Sequence, residues 1–230
     1  MHTFFSPDLV RGVNLLSPEE SHHCAKVLRL QEGEVIRLID GKGIVAEAII
    51  TNPNGKSTEF RITRSQSFER PEKQCSIAIA PTKSNDRFEF FLEKAVELGV
   101  DRIIPILCKR SERKNLKHER MEKIVMAATK QSLRPFLPEI LPLTKFEKLE
   151  NIASEVSMFI AHCEDGDKTK VSAINEKHVL ILIGPEGDFT PEEIEATNNW
   201  GAKPLSLGTN RLRTETAGIF AASMICKNES

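Results

Sequence analysis

The stretch 179–217 decides the fold, because one construction occurs in it twice. It opens with V-L-I-L-I-G-P-E-G-D-F-T-P-E-E-I-E (179–195) and closes with K-P-L-S-L-G-T-N-R-L-R-T-E-T-A (203–217). Each part predicts a buried strand, then a loop that contains glycine, then a helix. Loops at the carboxyl ends of strands in an open α/β sheet form ligand crevices. The doubled construction therefore predicts a binding site.

The first loop lacks the pattern of either common nucleotide-binding loop. It is not G-x-G-x-x-G, and no Lys follows it as in G-x-x-x-x-G-K-[ST]. Gly184 and Gly187 would let backbone groups approach a ligand. A plain turn before a well-capped helix stays open as the alternative. In that helix Thr190 is the predicted N-cap, Pro191 the first residue, and Glu193 the partner that closes a capping box.

The second loop carries charged side chains whose function a turn alone does not explain. Arg211, Arg213 and Glu215 crowd the junction between a short strand and the last helix. Arginine binds phosphate or carboxylate through two parallel hydrogen bonds, so the loop indicates a polar or anionic ligand. The alternative is an ion pair of Arg213 with Glu186 or Glu215 that only shapes the loop.

The composition restricts the class of protein. The chain has 230 residues, 40% of them hydrophobic, which suffices for one large domain or two modest ones. Its five cysteines are scattered without a C-x-x-C pair, which indicates free thiols in a reducing compartment and no metal site. No N-terminal run is laid out as a signal peptide, and no apolar run approaches the ~18 residues of a membrane helix. We expect a soluble, cytoplasmic protein with no membrane partner.

Charge is unevenly distributed, although the net charge is -1. The segment 102–134 has ten Lys or Arg against three Asp or Glu, whereas 147–200 has four against twelve. A basic segment of this kind could attract a polyanion such as RNA, and the alternative is a solvated helix face.

The pattern predicts two domains. Residues 1–70 contain a short helix from Ser17 and strands at 34–40, 44–51 and 57–63, which indicate a small β-barrel or folded sheet. The polar stretch 64–74 is the predicted linker. From 71 to 230 strands and helices alternate, which predicts an α/β domain with a largely parallel sheet. Its predicted strands are 76–80, 102–107, 139–143, 157–162, 179–183 and 204–207, and its predicted helices are 86–98, 119–133, 191–200 and 215–227.

The motifs, taken in order, resemble the RsmE family, the small-subunit ribosomal RNA uridine-N3 methyltransferases of the SPOUT superfamily. The resemblance covers nearly the whole chain. The matching segments are H-x-x-x-V-L-R (23–29), K-x-x-x-R (83–87), E-L-G-V (97–100), Q-S-x-R (131–134), P-E-I (138–140), I-G-P-E-G-D-F-T-P-E-E-I (183–194) and L-G-T-N-R-L-R-T-E-T-A (207–217). This chain departs from the family pattern at Asp188, where a second Gly is frequent, and at Asn210-Arg211, where Arg and an aliphatic residue are common.

The resemblance implies an N-terminal PUA-like β-barrel that binds RNA, a SPOUT domain with a trefoil knot, a homodimer, and S-adenosyl-L-methionine as cofactor. By carry-over, the cofactor-binding residues are Gly184, Pro185, Glu186, Gly187, Leu207, Gly208, Leu212, Arg213, Thr216 and Ala217. The expected RNA-binding residues are His23, Arg29, Lys83, Arg87, Arg110 and Arg134.

The implied activity is methylation of N3 of a uridine in 16S ribosomal RNA, either free or in the small ribosomal subunit. Arg213 and Glu215 are the expected catalytic residues: Arg213 would stabilise charge on the uracil oxygens, and Glu215 would accept the N3 proton. Arg87 and Glu186 are the respective alternatives. Two other functions stay open, a knotted methyltransferase that acts on another RNA base and a non-catalytic RNA-binding assembly factor.

Overall fold

The computed structural model describes residues 1–9 and 14–226. It has two compact units, Met1–Arg70 with Thr129–Leu137, and Pro71–Ala128 with Pro138–Ser230. The sequence had indicated nothing that joins 129–137 to the N-terminal residues. In the structure this segment is hydrogen-bonded to the turn at 41–43, where Gly43 N donates to Pro135 O at 3.0 Å and Leu137 N donates to Gly41 O at 2.9 Å.

The first unit contains a four-stranded sheet in the order β1-β2-β3-β4. Its strands are β1 (Thr3–Phe5), β2 (Val35–Ile39), β3 (Ile44–Asn52) and β4 (Glu59–Ser67). The last three confirm the predicted strands. Strand β1 was missed, because three residues are too few to show an alternating pattern; it pairs with β2 in parallel, while the other two pairs are antiparallel.

One apolar cluster forms the core of this unit, and one ion pair lies beside it. Phe4, Ile36, Leu38 and Phe60 are almost completely buried, together with Cys24 of the helical segment 18–27. That segment consists of α1 (Pro18–His22) and a π-helical turn, His23–Val27. Glu20 of α1 accepts hydrogen bonds from Lys130 Nζ at 2.7 Å and from Phe5 N at 3.3 Å. The carboxylate thereby ties the end of β1 to residue 130.

The second unit is an α/β fold built on an eight-stranded sheet in which every described strand pair is parallel, which confirms the predicted fold class. Along the sheet the order is β10-β12-β9-β11-β5-β6-β7, and β8 also pairs with β6. The strands are β5 (Gln74–Ile79), β6 (Arg102–Leu107), β7 (Glu139–Ile140), β8 (Thr144–Lys145), β9 (Ser157–Ala161), β10 (Thr169–Lys170), β11 (His178–Ile183) and β12 (Lys203–Ser206).

Both faces of this sheet are covered, which explains why its central strands are continuous apolar runs. On one face Leu180 and Leu182 pack with Phe146, Phe189 and Ile194. On the other face Ile79 lies against Gly218. The helices are α2 (Asn85–Leu98), α3 (His118–Ser132), α4 (Pro191–Asn199) and α5 (Thr214–Ile225). Gly218 lets α5 approach closely: a Cβ there would lie 2.6 Å from Phe91 of α2 and 2.9 Å from Ile79 of β5.

Several predicted boundaries were wrong. The linker is shorter than 64–74, because β4 continues to Ser67 and β5 begins at Gln74. Of the strand predicted at 139–143 only the first two residues are extended, as β7, and a second short strand, β8, begins just beyond the predicted end, at Thr144. The short strand β10 was not predicted. The last helix ends at Ile225, and its predicted end at Lys227 lies outside the described residues. The trefoil knot stays a prediction.

Within the two described ranges, no helix is long and apolar enough to cross a bilayer.

Candidate active site

The order of strands brings the two glycine-bearing loops to one edge of the sheet. Strands β11 and β12 lie on either side of β9, and all three run parallel. Their carboxyl ends therefore lie at the same edge, where the segment 162–168 follows β9. Loop A (184–190) follows β11, and loop B (207–213) follows β12. Three loops from three separate parts of the chain thus lie side by side.

A hydrogen bond joins loop A to the helix that follows loop B. Thr214, the first residue of α5, donates from Oγ1 to the buried carbonyl of Gly184 at 3.1 Å. A buried carbonyl without a partner is costly, so this bond fixes the entry of α5 against the end of β11. The sequence had shown two similar loops, and the structure shows one joined site.

Loop A is held from several sides. Its Glu186 accepts a hydrogen bond at Oε1 from Lys83 N, 2.9 Å away, in the segment after β5. Loop A ends in the predicted capping box: Thr190 and Glu193 exchange both hydrogen bonds, at 2.8 and 3.3 Å. Glu193 also accepts from Lys109 N at 2.8 Å, which links helix α4 to the turn after β6. Loop A is therefore preformed.

Asp188 shows how this chain accommodates a side chain where the family pattern often has Gly. Its φ is 62°, in the left-handed region that glycine adopts easily and that Asp tolerates better than most residues. Its carboxylate accepts from Phe189 N at 2.8 Å and from Cys163 N at 2.7 Å. Asp188 thus keeps the backbone shape of glycine and adds a bond to the segment after β9. Burial and the neighbouring Asp188 carboxylate raise the pKa of the Cys163 thiol.

Glu215 lies in an open cleft between α2 and α5. The cleft has a volume of about 490 Å³ and is lined by Asp86, Arg87, Phe90, Glu215, Thr216 and Ile219. The carboxylate of Glu215 is 12% exposed and lies 3.7 Å from Arg87 Nε. Neither ion pair considered for Arg213 is found among the described contacts: Glu215 pairs with Arg87, and Glu186 binds a backbone N–H. Arg213 is exposed at the N-cap of α5.

His162 was missed in the sequence analysis, although it is the residue at which the predicted strand 157–162 ends. In the structure it follows β9, between the loops of the neighbouring strands. Both ring nitrogens are buried, and neither has a partner among the described residues. Burial, followed by the charge of Lys168, lowers the pKa of His162, which favours the neutral ring. The sequence contained one signal for His162 as a site residue, namely a polar side chain at the carboxyl end of a predicted strand.

A comparison with models of known protein families decides the family, because one model matches most of the second unit, including loop A and loop B. The model of the RNA methyltransferase domain matches residues 69–226, and the model of the RNA methyltransferase PUA domain matches residues 16–63. This chain belongs to the RNA methyltransferase family. The expected resemblance and the PUA-like N-terminal domain are confirmed.

Two relatives of known structure and one curated relative agree with the match over 91% or more of this RNA methyltransferase. A probable rRNA-methyltransferase from Porphyromonas gingivalis is 38% identical, with a TM-score of 0.88, over 98% of this chain and 97% of that one. Ribosomal RNA small subunit methyltransferase E from Neisseria gonorrhoeae, bound to S-adenosyl methionine, is 28% identical, with a TM-score of 0.86, over 97% and 95%. The Bacillus subtilis protein of that name is 27% identical over 91% of this chain and 88% of its own.

The residues expected to bind RNA occur in both units of this methyltransferase. His23, Arg29 and Arg134 belong to the first unit. His23 packs edge-on against Phe4 at 5.9 Å, and Arg29 is exposed in a left-handed conformation with φ 55°. Lys83 and Arg87 belong to the second unit, where Lys83 Nζ lies 3.0 Å from Glu112 Oε2 and both side chains are largely exposed.

The described part of this RNA methyltransferase contains no group of three or more His, Cys, Asp or Glu side chains placed to hold a metal ion. All five cysteines are free thiols.

Proposed function

We propose that this chain transfers a methyl group from S-adenosylmethionine to N3 of a uridine in small-subunit ribosomal RNA. The joined pair of glycine-bearing loops carries the proposal, because Thr214 links loop A to the helix that presents Glu215. Membership of the RNA methyltransferase family supports methyl transfer to RNA. The names of the relatives, ribosomal RNA small subunit methyltransferase E, support a small-subunit substrate.

The loops fit S-adenosylmethionine, which is bound in the Neisseria gonorrhoeae relative. A Cβ at Gly208 would have no atom within 4 Å, so the backbone of loop B is open to a ligand. The neutral ring of His162 offers one donor and one acceptor without partners among the described residues. We assign binding to Gly184, Pro185, Glu186 and Gly187 of loop A, to Leu207, Gly208, Leu212 and Arg213 of loop B, and to Thr216 and Ala217. When bound, the cofactor would supply an electrophilic methyl group on its sulfonium sulfur.

The chain must remove a proton before N3 can attack. Uridine N3 lies on the Watson–Crick edge and is protonated at neutral pH, so the base must be unpaired or flipped out of a helix. Glu215 is the better candidate acceptor, because its carboxylate faces the cleft beside Arg87. Glu186 is the alternative, but one of its oxygens already accepts Lys83 N. The exposed guanidinium of Arg213 would stabilise the negative charge that develops on the uracil oxygens.

RNA phosphates would be bound by basic side chains of both units, the exposed Arg29 and the half-buried Arg134 in the first and the exposed Lys83 and Arg87 in the second, with His23 as a further contact. The PUA-domain match supports this assignment for the first unit. We expect the logarithm of the RNA affinity to fall linearly with the logarithm of salt concentration, because bound cations release counterions from phosphates. Filter binding between about 50 and 200 mM salt measures the slope, and a flat dependence contradicts the assignment.

A homodimer is part of the proposal. Helices α2 and α5 carry Phe90 and Phe220, which are 50% and 38% exposed. Large apolar side chains at neighbouring helices favour association with a second apolar surface. Sedimentation analysis of the wild-type chain and of Phe220→Asp tests it; a wild-type monomer at micromolar concentration contradicts the dimer. A cytoplasmic location follows from the proposed ribosomal substrate.

The decisive experiment is mass analysis of nucleosides from ribosomal RNA. Small subunits from cells that lack this protein are incubated with the purified chain and isotopically labelled S-adenosylmethionine. We expect label in N3-methyluridine of 16S RNA. Label in a different nucleoside supports a methyltransferase that acts on another base. Tight RNA binding without any labelled nucleoside supports a non-catalytic assembly factor.

A further inference from the structure

Arg110 contacts loop A at both sides of Asp188. It lies in the turn after β6, and its Nη1 donates to Gly187 O at 2.9 Å and to Phe189 O at 3.0 Å. Its aliphatic part runs along Gly187: a Cβ built on that glycine would lie 3.4 Å from Arg110 Cβ and 3.5 Å from Cδ. One guanidinium nitrogen therefore binds the two carbonyls that flank the left-handed residue of the loop.

The contact with Arg110 stabilises loop A against leaving the strained, left-handed conformation at Asp188. A non-glycine residue with φ 62° is strained by roughly 1 kcal/mol or more, and it persists where surrounding contacts determine it. Asp188 N donates to Pro185 O at 2.9 Å, which closes the turn on its inner side. The carbonyls on either side of Asp188 are then left for an external donor. The guanidinium of Arg110 supplies that donor, with charge-assisted hydrogen bonds.

We propose that Arg110 is a positioning residue that holds loop A, with Glu186 and Gly187, in the shape that binds the methyl donor. It is not a phosphate ligand, although its place in the basic segment 102–134 suggested one. The neighbouring residue supports this interpretation, because Lys109 contacts the first turn of α4, which follows loop A: its N–H donates to Glu193 and its Nζ lies 3.4 Å from Glu192. The turn after β6 thus holds loop A and the start of α4 from one side.

The variant Arg110→Lys separates the two roles. Lysine keeps the positive charge that a phosphate contact needs, but its side chain is shorter and its ammonium is more strongly hydrated, so it does not place a donor where Nη1 binds both carbonyls. We expect Arg110→Lys and Arg110→Ala to weaken S-adenosylmethionine binding by about three- to ten-fold, as loss of a charge-assisted contact at an exposed site allows. The KM for the methyl donor rises by the same factor, while kcat at saturating donor falls less.

The matched control is Lys114→Ala, an exposed basic residue of the same segment. If Lys114 contacts phosphate, its removal reduces the slope of RNA affinity against salt by about 1 and leaves donor binding unchanged. For Arg110→Ala we expect the opposite pattern, an unchanged salt slope and weaker donor binding. A reduced salt slope in Arg110→Ala, with unchanged donor binding and with Arg110→Lys equal to the wild type, overturns the proposal.

This inference rests on the proposed function, so a second measurement is independent of any ligand. Hydrogen exchange of the Asp188 amide in the free protein reports the closed turn of loop A. We expect both Arg110 variants to exchange this proton faster than the wild type and Lys114→Ala to exchange it at the wild-type rate. Unchanged exchange in Arg110→Ala refutes the positioning role. Failure of the wild-type chain to bind S-adenosylmethionine, with faster exchange in the variants, refutes the proposed function alone.

Discussion

Loop A and loop B come from the same construction in the sequence, but they differ in how they are held. Loop A is bound by Lys83 N, by Arg110 and by Cys163 N, each from a different strand end. For loop B, the described hydrogen bonds are a local bond from Gly208 N to Ser206 Oγ at 3.4 Å, the bond from Ala217 N of α5 to Arg213 O at 2.8 Å, and the Thr214 bond just after the loop. One loop is preformed, whereas the other presents Gly208 and Arg213 to solvent.

The difference indicates a division of roles. A site that binds and then reacts benefits from a rigid part that fixes the ligand and from charged groups that act on the developing charge. Loop A fits the first role, since its contacts come from elements distant in sequence. Loop B and the start of α5 fit the second, since Arg213 is exposed and Glu215 faces the cleft.

The largest expected effect is on catalysis through loop B. Arg213→Ala should reduce kcat by about 100- to 1000-fold, because it removes a charged donor proposed to act in the transition state. The melting temperature should stay within about 1 °C, because the side chain is exposed. Single-turnover methylation of small subunits and calorimetry measure the two effects. Asn210→Ala, in the same loop, is the control, and full activity of Arg213→Ala contradicts the proposed division of roles.

The next effect concerns the bond that joins the loops. Thr214→Val leaves the buried Gly184 carbonyl without a donor, which should cost about 1–3 kcal/mol of unfolding free energy. Thr214→Ser keeps the hydroxyl and should lose less than half as much. Urea unfolding monitored by circular dichroism gives both values. Equal stability of the valine variant and the wild type would mean that the bond does not couple the loops.

A smaller loss is expected at the far end of loop A. Glu193→Ala removes the reciprocal arm of the capping box and the contact with Lys109 N, and it should destabilise the protein by about 1 kcal/mol. Glu195→Ala, on the exposed side of α4, should have no measurable effect. The same urea measurement compares them, and equal losses in both variants would argue against a preformed loop A.

The smallest expected effect is on the reactivity of the Cys163 thiol, which reports the contact between Asp188 and the segment after β9. The Asp188 carboxylate contributes to the raised pKa of the Cys163 thiol, so Asp188→Asn should lower that pKa towards its usual value. More thiolate is then present at pH 8, and iodoacetamide should label Cys163 about two- to five-fold faster. The pH at which labelling is half-maximal should shift down. Cys108, buried and with a raised pKa, should stay unlabelled in both forms. Unchanged kinetics would show that the two groups do not interact in solution.

Much of the fold could be predicted because the relevant signals are local. The apolar runs that became β6 and β11, and the capping box of Thr190 and Glu193, each lie within a few residues of one another. Strand β1 was missed because it is stabilised by its partner β2 and by burial of Phe4, which its three residues do not show. The irregular segment between β7 and β8 was missed because its residues are compatible with an extended strand.

The sequence predicts which loops form the candidate site. It does not predict which side chains contact each other there. Arg87 and Glu215 were assigned separately, and the structure pairs them across a cleft. His162 was treated as the end of a strand, yet its ring nitrogens are buried beside loop A without partners among the described residues. The charge around Arg110 predicts RNA binding, which stays a prediction, whereas the structure shows its guanidinium bound to two carbonyls of loop A. Charge in a segment does not show which carbonyls a guanidinium reaches.

The sequence by itself indicated a β-rich N-terminal part and an α/β part, most of the longer strands and helices, and the position of the doubled loops at strand ends, because hydrophobic period and capping are local properties of the chain. Only the tertiary structure decided the order β12-β9-β11, which places loop A and loop B on either side of the segment after β9. Parallel strands exchange similar backbone hydrogen bonds with any neighbour, so their order follows from the packing of the whole domain. The bonds of Arg110, Asp188 and Thr214 depend on that order, and with them the shape of the candidate active site.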